Sequence, residues 1–277
     1  MVRGVPWARF LFVAAIAGIA IVVIDSVAGR AAPGWLIAAA GFALVVSVGA
    51  GVFLQGSGLF ARPILAARGD AANGRVALTF DDGPDPVHTR AVLDLLERGG
   101  HRATFFVIGA RAEKTPELLD ELVRRGHRLA NHSFAHSHAT PFFSVERLVE
   151  DLTRAQALIT RAGAPAPRWF RAPIGILSPR VAQAARRMGL ELVGWTASAR
   201  DGMARTTVDA AVARLLPALA PGAILVLHDA AERSGRAPIA PAVLARLLAA
   251  LDARGLKSVT LDELLGDASA ALTGERA

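Results

Sequence analysis

The chain has 277 residues, 53% of them hydrophobic, and a formal net charge of +7 carried almost wholly by arginine. Its length and apolar content suit one large domain or two ordinary ones with a full core. It has no cysteine, which excludes a disulfide framework and a thiolate metal site, so a bound metal must use histidine and carboxylate; the arginines are scattered, which argues against a nucleic acid partner.

Residues 1–60 read as a membrane anchor. Phe10 to Ile24 is an unbroken apolar run preceded by Arg3 and Arg9, and Gly34 to Leu54 is a second run of about 21 residues, enough for roughly 31 Å of helix and so for a bilayer core. Helices are expected over about 8–27 and 34–54, on either side of the polar break Asp25 to Pro33. The first run fits either a membrane span or a signal peptide with Ser26-Val27-Ala28 as its cleavage site. If both runs span, the positive-inside tendency puts both flanks in the cytoplasm; if one spans with its start inside, the remainder is outside. The expected location is the cell membrane, the bacterial inner membrane, with the side left open. Residues 61–75 read as a linker, 76–266 as one folded domain and 267–277 as a tail.

From Val76 a repeating grammar begins. The apolar run Val76–Phe80 ends in Asp81 and Asp82, followed by the turn Gly83-Pro84 and a helical pattern from near Val87. Two carboxylates at the mouth of a buried strand repel each other unless a metal or an arginine sits between them; alternatively Asp82 or Asp85 merely caps the next helix. Helices then end repeatedly in a basic last turn and a glycine, at Gly99, Gly126, Gly189 and Gly255, as the helix dipole and the left-handed cap favour. Thr115-Pro116 and Ser178-Pro179 read as helix starts, and Val145, Leu148, Val149, Leu152, Ala155 and Ile159 share one helical face. Short apolar runs at 103–108, 128–130, 169–170, 190–195, 223–227 and 256–259 make about seven strands alternating with helices, a parallel sheet closed or nearly closed into a barrel. In such barrels chemistry sits at the C-terminal strand ends.

Each strand end carries a candidate. His132 and His136 are four apart, a spacing that on one helical turn aims both imidazoles at one point; with Asp82 they make a site of two histidines and one acid. His138 is a substitute ligand or an exposed loop residue. Arg171 can clamp a carboxylate, and the Pro173 and Gly175 around it suggest a fixed backbone whose N–H faces a substrate oxygen. Trp195 leads to Asp201, and His228, at the end of an apolar strand, is poised for proton transfer or is a buried structural histidine bonded to a carboxylate.

The ordered set Thr79-Phe-Asp-Asp-Gly83, His132-Ser-x-x-His136, Arg171-x-Pro-x-Gly175, Trp195 to Asp201 and Leu225-x-Leu-His228-Asp229 resembles the polysaccharide deacetylases with a NodB-type domain, carbohydrate esterase family 4, over about residues 75–265. The resemblance implies a distorted (β/α)7 TIM-like barrel in which Asp82, His132 and His136 bind a divalent metal, zinc before cobalt, nickel or manganese. It implies Asp81, held by Arg171, as general base; the backbone N–H of Ile174 as oxyanion donor; and His228, oriented by Asp201, as the acid that protonates the leaving amine. Acetate and a free amino sugar are the implied products, and Trp195 and Val226 line the substrate pocket.

Three departures bear on the substrate. Ile174 stands where the family usually has an aromatic, Ser198-Ala-Arg-Asp201-Gly202 replaces Asp-x-x-Asp-Trp, and Val226 stands for Leu. The chain has no tyrosine, so a long sugar-stacking platform is not expected; Phe134, Phe142 and Phe143 can stack on a sugar, dip into lipid or pack in the core. The expected partners are an N-acetylated glycan or a lipid-linked amino sugar and the membrane, with no obligate protein partner. Removal of formyl from a lipid-linked amino sugar, O-acetyl ester hydrolysis, or an inactive glycan-binding scaffold are the alternatives. An aspartyl-phosphate phosphatase lacks its Asp-x-Asp-x-Thr order.

Overall fold

The computed structural model describes residues 1–3, 6–231 and 236–266; the tail expected over 267–277 lies outside the described residues. In chain order the elements are β1 (Val2–Arg3), α1 (Trp7–Val27), α2 (Gly34–Phe53), β2 (Ile64–Ala66), β3 (Arg75–Asp81), α3 (His88–Arg98), β4 (Ala103–Val107), α4 (Gly109–Ala112), α5 (Pro116–Arg124) and β5 (Arg128–Asn131). There follow α6 (Val145–Arg161), β6 (Trp169–Phe170), α7 (Pro179–Arg187), β7 (Glu191–Leu192), β8 (Ala197–Ser198), α8 (Val208–Leu215), β9 (Ile224–His228), α9 (Ala240–Ala253), β10 (Lys257–Ser258) and α10 (Leu261–Leu265).

The parallel strands lie in the spatial order β7-β6-β5-β4-β3-β9-β8, with β10 paired to the start of β3. The sheet curls into a barrel whose two ends, β7 and β8, are joined by residues 193–196. The segment read from sequence as a linker fills the gap between them. Ile64 of β2 bridges Val193 in parallel and Ala66 bridges Ala223 antiparallel. Gly194 N–H donates to Ile64 O at 2.8 Å, the Thr196 hydroxyl donates to Leu65 O at 2.8 Å, and Ala67 N–H donates to Gly222 O at 2.8 Å.

The two faces of β3 explain why the site lies inside the barrel. Alternation along a strand sends successive side chains to opposite faces. Val76, Leu78 and Phe80 pack outward against Leu93, Leu96 and Leu244 of the covering helices, and each such buried side chain contributes about 1.5–3 kcal/mol. Ala77, Thr79 and Asp81 therefore point inward, where Ala77 joins Ile64, Phe106, Trp169 and Ile224. Helix α6 buries Val145, Leu148, Leu152, Ala155 and Ile159 of the stripe read from sequence, while its sixth member, Val149, is half-buried. Ser178 caps α7 by accepting Val181 N–H at 3.2 Å. Thr115 does not cap α5: its hydroxyl donates backward to Arg111 O at 3.1 Å.

Helices α1 and α2, of 21 and 20 residues, are each long and apolar enough to cross a membrane. They pack as a hairpin through small residues: a Cβ on Gly18 would lie 3.1 Å from Ala40 Cβ, and such close approach is how apolar helices associate without a hydrophobic drive between them. The outward faces carry Phe10, Val13, Phe42 and Val45, all exposed. The hairpin is seated on the barrel at both of its open ends. β1 pairs with β2, Arg3 meets Glu191 at 3.0 Å, and Leu177 N–H donates to Val52 O at 3.2 Å. The Gln55 side chain enters between Gly175 and Gly194, at each of which a Cβ would lie within 2.6 Å of it.

Candidate active site

At the end of β3, Asp81 meets Arg171 from the end of β6, with Nη1 2.6 Å from Oδ1. Both are buried. The guanidinium also donates to Thr79 Oγ1 at 2.9 Å and to Gly194 O at 3.0 Å, and it lies over the Phe106 ring, 4.1 Å from the centroid. Burial pulls the Arg171 guanidinium below its usual range and the Asp81 carboxylate opposes that pull. Arginine suits the position because its planar fork reaches a carboxylate, a hydroxyl and carbonyls at once.

Asp82 turns the other way because its backbone is left-handed, φ 72. Its Oδ1 lies 3.5 Å from His132 Nε2 and 3.2 Å from His136 Nε2, and one ligand atom of each of the three residues lies within 4.8 Å of the others. Burial pushes the Asp82 carboxyl up, but the hydrogen bond and charge of His132, with His228 and His136, hold it well below the usual carboxylate range. His132 Nδ1 lies 2.8 Å from Arg171 O; that carbonyl can only accept, so Nδ1 carries a proton and Nε2 is the nitrogen turned to the cluster.

The two histidines do not sit on a helical turn, as their spacing suggested. Residues 132–138 form a loop in which Ser133 (φ 67) and His136 (φ 46) are left-handed. Side chains that the sequence reading passed over hold it: Asn131 Oδ1 accepts Ser133 N–H at 2.8 Å, and Asp151 accepts Phe134 N–H at 2.7 Å and Ala135 N–H at 3.1 Å. The one signal for Asp151 was an acid flanking the apolar stripe of α6. His138 rests against the His136 ring at 6.2 Å between centroids and is not among the converging ligand atoms.

Opposite this cluster, His228 Nδ1 lies 2.7 Å from Asp201 Oδ1. Burial lowers the imidazole's affinity for a proton, but Asp201, then Asp82 and Asp81, outweigh it and raise His228 to about 10. The neighbouring Asp229 is fully buried and pushed up to about 7 by that burial, against the hydrogen bond from Thr89. It packs on the Asp82 turn so closely that a Cβ on Gly83 would lie 2.5 Å from its carboxylate.

One cavity of about 210 Å³ collects these groups. Asp81, Asp82, His132, His136, Ile174, Trp195, Val226 and His228 line it, while Arg171 and Asp201 stand behind Asp81 and His228. Ile174 is left-handed (φ 50) and 43% exposed, so its side chain lies on the rim. Ser198, Arg200, Gly202 and Met203 complete the wall on the side where the fourth motif departs from the family pattern. Phe142 is exposed, whereas Phe134 and Phe143 are covered by Arg154 and Arg147, 3.5 and 3.7 Å above their rings.

Residues 68–193 match the family described as polysaccharide deacetylase. The chain is 41% identical over 171 residues to the chitooligosaccharide deacetylase of Bradyrhizobium sp. (strain ANU 289), covering 60% of this chain and 78% of that one. It is 34% identical over 192 residues to a peptidoglycan-N-acetylglucosamine deacetylase of Bacillus cereus, covering 69% and 87%. A family 4 acetyl xylan esterase of Clostridium thermocellum, solved with a cobalt ion, superposes with a TM-score of 0.62 at 32% identity, covering 69% and 89%.

Proposed function

The chain belongs to the polysaccharide deacetylase family, and from that premise we propose that it is a membrane-anchored, metal-dependent hydrolase that removes the N-acetyl group of an amino sugar. The observation that supports this reading is the convergence on one cavity of a carboxylate paired with arginine, an Asp-His-His cluster and a histidine paired with Asp201. The cluster fits a divalent metal. Ligands at ~2.0–2.1 Å in tetrahedral array stand ~3.3 Å apart, and Asp82 stands 3.5 and 3.2 Å from the two imidazoles. The donor set of two imidazoles and one carboxylate suits zinc, with cobalt, nickel or manganese also served by it.

A divalent ion bound by Asp82, His132 and His136 would polarise the acetamide carbonyl and acidify water. Asp81, placed by Arg171, takes a proton from the attacking water. The backbone N–H of Ile174 donates to the developing oxyanion. His228, set by Asp201, gives its proton to the departing amine, releasing acetate and the free amino sugar. Trp195 and Val226 bound the pocket that receives the sugar and its acyl group.

The hairpin of α1 and α2 reads as a two-span anchor, because β1 before it and β2 after it are paired and must share one side of the bilayer. Arg3, Arg9, Arg62 and Arg68 would lie on that side and Arg30 on the other, a distribution that supports a cytoplasmic catalytic part. Acetate released from N-acetylglucosamine oligomers and from phosphate-linked N-acetylglucosamine by the full chain tests the activity. Loss of that release in Asp81→Asn with metal still bound is expected; undiminished release would overturn the assignment. A reporter fused after Ala277 that works only outside the cell would overturn the orientation.

A further inference from the structure

Beside the catalytic cavity lies a groove of about 730 Å³, lined by Phe53, Leu54, Leu65, Arg200 and Arg214 among others. Trp195, Ser198 and Arg200 line both, so the two are continuous. The groove runs from the end of α2 to the cavity that the Asp-His-His cluster lines. Its three sections differ in chemistry. Phe53 and Leu54, 70% and 55% exposed, present hydrocarbon where α2 ends. Arg200 and Arg214 are its cations, with no carboxylate on the groove wall and no ion pair to either among the described residues. Trp195 stands at the junction with the cavity.

Arg200 is held for such a task by its backbone. It is left-handed (φ 53), its N–H donates to Ser198 Oγ at 3.1 Å and its carbonyl accepts the Thr206 hydroxyl at 2.7 Å. A left-handed non-glycine residue carries a conformational cost that a local fold must support, and here the support fixes the backbone from which the Arg200 side chain reaches the mouth of the site. A neutral polymer needs neither two uncompensated cations nor an apolar section reaching a membrane helix. An amphiphile with an anion between its tail and its sugar needs both.

We propose that the substrate is an N-acylated amino sugar linked through phosphate to a membrane lipid. The lipid chain leaves the bilayer along Phe53 and Leu54, the phosphate is bound by Arg200 and Arg214, the sugar covers Trp195, and the amide reaches the metal cluster. This rests on the deacetylase reading and names the substrate of the same site. Guanidinium is the side chain best matched to phosphate oxygens, and two of them separate this substrate from an uncharged glycan.

The test uses the metal-loaded full chain in lipid nanodiscs with three probes: N-acetylglucosamine 1-phosphate esterified to phytanol, UDP-N-acetylglucosamine and chitotetraose, with acetate as the readout. The expected result is a kcat/KM for the phytanyl phosphate at least about tenfold above that for chitotetraose, with that ratio falling about tenfold or more in Arg200→Gln/Arg214→Gln. Chitotetraose turned over as well as the lipid overturns the substrate and leaves the deacetylase reading standing. A ratio unchanged in the double variant overturns the phosphate contact, and UDP-N-acetylglucosamine used as well as the lipid overturns the lipid tail. Acetate from none of the three would remove the deacetylase reading and this inference with it.

Discussion

Both oxygens of the Asp201 carboxylate are taken by one residue, His228: Oδ1 lies 2.7 Å from its Nδ1, and Oδ2 accepts its backbone N–H at 2.9 Å. The imidazole is thereby fixed in rotation and in tautomer, leaving Nε2 toward the cavity. Burial alone would strip its proton; the carboxylates around it raise it to about 10. A histidine so held keeps its proton through the neutral range, as the acid proposed for the departing amine must. Asp201→Asn is expected to lower kcat by about 10²-fold or more. The alkaline limb of the rate profile should move to lower pH, because the protonated form is then lost earlier as pH rises. A drop in kcat with that limb unmoved would assign Asp201 a packing role only.

Arg171→Met should destabilise the fold by about 3–5 kcal/mol, since it leaves the buried Asp81 charge without its partner. Urea unfolding of the metal-free protein measures it. Arg171→Met/Asp81→Leu should regain most of the loss, because replacing both members of a buried pair removes the uncompensated charge. If the double variant were as unstable as the single one, the cost would lie in the carbonyl and hydroxyl contacts of the guanidinium.

Chelation should abolish activity and added zinc or cobalt should restore it. Cobalt(II) also gives a readout without turnover. Its visible absorption on binding should appear in the full chain and disappear in Asp82→Ala and in His132→Ala. Full activity after exhaustive chelation would contradict the metal cluster.

The acid limb of stability should depend on His127, a residue outside the site. Its Nδ1 accepts Ala103 N–H at 3.2 Å, and burial, with Arg125 and Arg102 adding, lowers it to about 4. The depressed value means that the folded state binds this proton less readily than the unfolded state. Stability is therefore full above ~6.5 and is lost as pH falls toward about 4, by no more than about 3 kcal/mol. His127→Gln should flatten the unfolding free energy over that window, and an unchanged slope would place the acid sensitivity elsewhere.

The strand ends were legible because two patterns coincide there. Apolar runs of strand length stop at polar residues that no core would tolerate unpaired, as at Phe80 before Asp81 and Leu227 before His228. The loop of His132 and His136 was not legible in the same way. A spacing of four fits a helical turn, but Asn131 and Asp151 supply hydrogen bonds that favour left-handed backbone instead, and such side-chain competition depends on residues brought from α6. β2 was missed for a related reason. Three residues of strand carry no periodicity, and Ile64 is recognisable as barrel wall only once Val193 and Ala223 flank it.

The seat of β2 in the barrel gap bears on how this protein can be cut. A fragment begun at Val76, where the strand-helix alternation starts, would lack Ile64 O and Leu65 O, the acceptors of the Gly194 N–H and the Thr196 hydroxyl. It would also open a slot between β7 and β8, and an opened slot in a sheet recruits other chains. The natural seam lies ahead of Arg62, and even there Gln55 is keyed against Gly175 in the cavity wall and Val52 O accepts the Leu177 N–H. The helical hairpin and the barrel form one body, and no single incision separates them cleanly.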